Sequence, residues 1–155
     1  MRFPNLPLLY HILIKSSSIP YFSFMDLKFS MSELIHSDFA VRYNINNMPD
    51  INSSDCMLEL IYYCLQPLRQ KANRAMIITS GFRNSYLNSQ IGGVKTSQHC
   101  KGQAVDFHFD GWTIQQGIDF IKKSGIEYDQ LINEYDKWIH ISFVKGKNRK
   151  QCFKL

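Results

Sequence analysis

A chain of 155 residues is long enough for one ordinary hydrophobic core and short for two, so a single domain is the default. An aromatic content of 14%, with eleven Phe and eight Tyr, excludes a disordered chain. Lys and Arg exceed Asp and Glu by 18 to 13, but no recognition-helix signature or repeated aromatic-basic motif accompanies the formal charge of +5, so nucleic-acid binding rests only on charge and exposed aromatics and is not expected. Residues 1–24 carry one early Arg and a short apolar run. They lack a small-residue cleavage site, and their apolar core is too short to span a bilayer. Pro4, Pro7 and Pro20 resist a continuous helix, so this segment reads as a poorly ordered extension, with Met25 or Met31 as alternative starts and no stable membrane insertion.

A short helix is expected from about Ser32, capped by Ser30 or Ser32. After the turn NNMPD, a helix follows in which Met57, Leu60, Ile61, Cys64, Leu65 and Leu68 recur at helical spacing, with Pro67 kinking or dividing it. Met76 to Thr79 fits a short buried strand, and Gly81 permits an immediate turn. SYLNSQ suits a helical turn ended by Gly92 and Gly93. In QAVDFHFD, Ala104, Asp106 and His108 share one face of a strand while Val105, Phe107 and Phe109 fill the other. A helix capped by Thr113 ends near Gly125. Two antiparallel strands then flank Tyr135, Asp136 and Lys137, with Trp138, His140 and Ser142 opposite Ile139, Ile141 and Phe143. These elements give a small α+β domain over 25–145, with a central antiparallel sheet, helices packed on one side and a cleft lined by polar groups on the other. Residues 146–155, rich in Lys and Arg, read as a basic tail, either solvated or touching an anionic polymer such as cell wall.

The four cysteines, Cys56, Cys64, Cys100 and Cys152, lack CxxC spacing and the density of a disulfide scaffold, and read as reduced thiols of a protein made in the cytoplasm. Cys100 adjoins His99 and offers either a closing thiolate or a structural side chain; the structural role is favoured because adjacent residues on extended backbone point apart.

His99 and Asp106 lie seven positions apart around a glycine, and His140 stands on a separate strand. Two imidazoles and one carboxylate are the ligand set of a catalytic Zn²⁺ that keeps a fourth position for water. A carboxylate must also carry the water's proton to the leaving amine. Glu134 and Asp136 are the candidates, with Glu134 favoured for its longer side chain because Asp136 suits a hairpin turn. Arg83 offers a planar fork for a substrate carboxylate or a salt bridge to a surface acid. Ser80 and Ser97 position loops or touch substrate. His108 is read as a partner of the ligands or as packing, since a fourth protein ligand would displace the water.

The order ITSGFRN, IGGVKTSQHCKGQAVDF and LINEYDKWIHISF resembles the M15 family of zinc peptidases, in particular the branch of D-alanyl-D-alanine carboxypeptidases and peptidoglycan endopeptidases. The resemblance runs over roughly 27 to 144, and its ten-position SQHCKGQAVD stretch is its most specific part. It implies His99, Asp106 and His140 as zinc ligands, Arg83 at the peptide carboxylate and Ser97 in a substrate-facing loop. One departure stands out. Several members carry the catalytic Glu three residues before the last histidine, where this chain has Lys137; Glu134 lies six before it. The implied activity is hydrolysis of a peptide bond in peptidoglycan stem or crosslink peptides, acting at the bacterial cell wall or periplasm as a monomer, in a bacterial or phage-encoded setting. The alternatives are an inactive zinc-containing wall-binding protein, a structural zinc domain closed by Cys100 or His108, and a basic nucleic-acid-binding domain.

Overall fold

The fold is described over residues 28–155 of a computed structural model, so the extension expected over 1–24 lies outside the described residues. Hydroxyl and carboxylate caps start each early helix. Ser30 accepts from the Glu33 amide at the start of α1, Met31–Ile35, and Ser37 from the Ala40 amide at the start of α2, Asp38–Arg42. Where one helix was expected near Ser32 there are two, because Ser37 opens a second cap. Asp50 caps α3, Ile51–Leu60, by accepting from the Ser53 amide at 2.7 Å. This helix does not break at Pro67. It widens into a π-turn over Ile61–Leu65, with the Gln66 amide donating to the Ile61 carbonyl, and continues as α4, Gln66–Ala72, with the proline in its first turn.

Strand β1, Met76–Ser80, leads through Gly81 to α5, Ser85–Gln90, and a 3₁₀ turn over Gln98–Lys101. Strand β2, Ala104–Phe109, precedes α6, Ile114–Lys123, whose first turn is closed by a reciprocal box between Thr113 and Gln116. Strands β3, Gln130–Glu134, and β4, Trp138–Ser142, form the expected hairpin, and β5, Gln151–Lys154, ends the chain.

The five strands form one open sheet in the order β1-β2-β4-β3-β5. Four are antiparallel to their neighbours, but β5 runs parallel to β3, so the sheet is mixed where an antiparallel one was expected. The same strand corrects the reading of 146–155 as a tail. Gln151, Cys152, Phe153 and Lys154 pair with Gln130 to Asn133, and Lys150 and Lys154 form ion pairs with Glu127 and Asp136. Charge alone gave no sign of this, because strand β5 borrows its register from β3.

One face of the sheet carries Val105, Phe107, Ile139 and Ile141, all buried and packed with Leu60, Ile61 and Leu65 of the long helix and Ile118 and Ile121 of α6. At about 25 cal/mol per Å² of apolar surface removed from water, this core is the main favourable term in folding. The opposite face carries a polar row. Ser80 pairs with Asp106, Asp106 with His140, and His140 with Ile132, so residues from four strands stand side by side across the sheet. Ser80 enters this row through a register shift after Ile78, where Thr79 donates to the Asp106 carbonyl at 3.1 Å.

Candidate metal centre

Asp106 and His140 are partners across β2 and β4, which aims both side chains to the same side of the sheet. His99 reaches them from the 3₁₀ turn, where Ser97 accepts from the His99 amide and Gly102, in the left-handed conformation at φ 69°, redirects the chain into β2. Gly102 has no room for a side chain, since a Cβ would lie 2.2 Å from the Ser53 carbonyl oxygen. His99 Nδ1 donates to the Gly81 carbonyl at 2.7 Å, which leaves Nε2 as the lone-pair donor facing its partners. His99 Nε2 lies 3.2 Å from both His140 Nδ1 and Asp106 Oδ1, and His140 Nδ1 lies 2.9 Å from Asp106 Oδ1.

All three groups are buried. Burial pushes the Asp106 carboxyl up, but the facing His99 and His140 imidazoles outweigh it and hold the group well below the usual carboxylate range. Among the described residues this is the one cluster of three such ligands, with one donor atom from each within 4.8 Å of the others. Two imidazoles and a desolvated carboxylate converging at that separation, one tautomer fixed from outside, fit a divalent cation of the zinc type.

The family model for Peptidase M15 matches residues 27–142. The chain belongs to the M15 peptidase family. No curated protein matches it. Membership places the M15 chain among metallopeptidases, and His99, Asp106 and His140 form a group whose donor atoms are spaced to hold a metal ion.

The M15 chain places its other expected residues unevenly. Glu134 lines the same cleft of about 780 Å³ as the three ligands, together with Arg83 and Ser97. It faces the cleft because the β3-β4 loop holds three residues. Tyr135 and Asp136 both adopt left-handed backbone, at φ 57° and 55°, and the extra Lys137 sets Glu134 opposite Trp138. Trp138 Nε1 then donates to Glu134 Oε2 at 2.7 Å. Arg83 has a buried Nε without a partner, and among the described residues no carboxylate forms a salt bridge with it. Ser80 stands in the polar row but not in the lining of the cleft.

Asp136, the other carboxylate candidate, does not line the cleft. It is exposed in the turn, bonded to Asn133 and paired with Lys154 at 2.6 Å, outside the cleft. Its short carboxylate serves the left-handed turn and the neighbouring strand end. Cys100 and His108 stand outside the three-ligand group, and all four cysteines are free thiols. Sequence reasoning missed Gln98, Asp129 and Arg149, which also line the cleft. Their proximity arises from contacts between distant segments, for which the chain carries no local signal.

Proposed function

We propose that this protein is a zinc-dependent peptidase that hydrolyses a peptide bond in bacterial peptidoglycan, in a stem or crosslink peptide, as a D,D-carboxypeptidase or endopeptidase. The observation that carries the reading is the shared cleft, in which a three-ligand group faces a carboxylate held on one side only. A zinc ion bound there supplies Lewis-acid activation of water and of the scissile carbonyl. Glu134 is the proton carrier. Its Oε2 is occupied by Trp138, which leaves Oε1 to take the proton of the attacking water and deliver it to the leaving amine. Arg83 supplies the guanidinium fork for a substrate carboxylate, consistent with its unpartnered Nε. Ser97 holds the His99 turn and lines the path of the peptide.

The wall substrate is supported by the likeness of SQHCKGQAVD and WIHIS to the wall-cutting branch of the family. Among the described residues, no helix is long and apolar enough to cross a membrane. The test is metal content together with product mass from purified peptidoglycan, for the wild-type protein and for His140→Ala. About one equivalent of zinc, with peptide fragments that the variant does not produce, is expected. Zinc without cleavage would move the reading to a wall-binding protein.

A further inference from the structure

His99 and His140 come from separate elements, so something must fix the distance between them. One tie is the bond from His99 to Gly81 on the β1 side. A second tie crosses to the β3-β4 side through Gln98, the residue before His99. Gln98 Nε2 donates to Asp129 Oδ2 at 2.9 Å. Asp129 is 1% exposed, and its amide donates to the Ser142 carbonyl at 2.7 Å, two residues from His140. Because an ionised carboxylate only accepts, the amide nitrogen of Gln98 must face it, and the side chain has one orientation.

Arg149 makes this tie rigid. Its backbone amide and Nε donate to Asp129 Oδ1 at 3.0 and 2.8 Å, and Nη2 donates to Oδ2 at 2.6 Å. Gln151 at the start of β5 donates its amide to the Asp129 carbonyl at 2.9 Å. Arg149 and Gln151 both lie beyond the stretch 27–142 that the family model matches. A buried carboxylate needs such a partner, and a planar fork that engages both oxygens fixes its direction as well as its charge.

We propose that Arg149 and Asp129 are positioning residues for the metal, acting through Gln98 on the turn that carries His99, so that the segment after Ser142 is a working part of the metal site. The inference rests on the zinc reading above. Loss of any member of the Arg149, Asp129, Gln98 chain lets the His99 turn drift from Asp106 and His140, and metal affinity falls.

The test is zinc affinity by competition with a chromophoric chelator, with the absorption spectrum of the Co²⁺-substituted protein as a report of ligand geometry. It compares the full-length wild type, Gln98→Ala, Arg149→Ala and the double variant, with near-ultraviolet circular dichroism to verify folding. Gln98 is partly exposed, so its truncation keeps the proposal testable if Arg149→Ala fails to fold. Each single change is expected to weaken zinc binding roughly tenfold or more and to alter the cobalt spectrum. The double variant should bind no more weakly than the weaker single variant, because both substitutions break one chain of contacts. Wild-type affinity in folded Gln98→Ala would overturn the proposal, as would additive losses in the double variant. A wild-type protein that takes up no zinc would overturn the metal reading and this inference with it.

Discussion

Trp138 occupies one oxygen of Glu134, and among the described residues the other has no partner, which is the end the proposed proton transfer uses. Glu134→Gln keeps the shape and removes the basicity, so zinc content should stay at the wild-type level while turnover falls about 10²- to 10⁴-fold; unchanged turnover would remove Glu134 from the chemistry. Trp138→Phe keeps the ring and removes the donor, and should lower kcat on the order of tenfold through misplacement of the base. Asp129 governs a different property. Hydrogen bonds from the Arg149 side chain hold its carboxyl below the ordinary value. Its contribution to stability is therefore complete above the unfolded pKa of about 4 and fades as the pH falls through the lowered native value. Arg149→Ala should lower stability at pH 7 in urea unfolding, with the deficit shrinking toward pH 2. An equal deficit at both pH values would contradict this assignment.

Elements meet at the site through backbone as much as through side chains. Gly102 ends the 3₁₀ turn at φ 69° with the Ser53 carbonyl 2.2 Å from where a Cβ would sit, so α3 presses directly on the loop between two ligands. Gly102→Ala should lower stability by about 2 kcal/mol or more, from left-handed strain and overpacking, and should reduce bound zinc in the folded fraction. A variant with wild-type melting temperature and zinc content would show that the contact relaxes freely. The three-residue β3-β4 loop works in the same way. Its extra residue, Lys137, sets Glu134 opposite Trp138, so a carboxylate six positions before the last histidine lines the cleft. Asn133 stabilises this loop by donating to the Asp136 carboxylate and accepting its amide, at 2.8 and 2.9 Å.

At the scale of the molecule, the ligands come from the turn before β2, from β2 and from β4, so a bound ion ties together segments up to 41 residues apart in sequence. Metal that binds the folded state alone stabilises it by mass action, about 2.7 kcal/mol at a hundredfold excess over Kd. For a domain of this size that corresponds to a rise in Tm of about 10 °C. Scanning calorimetry should show the rise with zinc, its reversal by a chelator and its absence in His140→Ala. A zinc-dependent rise in the variant would place the ion elsewhere. The mixed sheet adds a second closure, because β5 pairs with β3 and carries the chain end back beside the cleft wall.

Local periodicity made much of this protein legible. Alternation over 104–109 and 138–142 identifies two strands and the face that holds Asp106 and His140, because side-chain direction in a strand depends only on residue parity. Thr113 as a cap and Gly125 as a stop are likewise short-range chemistry, and both bound α6 as expected. That His99, Asp106 and His140 converge was expected from residue type, spacing and family pattern. Only tertiary structure decided which carboxylate shares the cleft, since Glu134 and Asp136 differ by loop geometry rather than by residue chemistry. It also decided that the basic end is a strand and that Arg149 reaches Asp129. Parallel pairing and ion-pair partners are set by contacts between segments far apart in the chain, and a local pattern of residues holds no record of them.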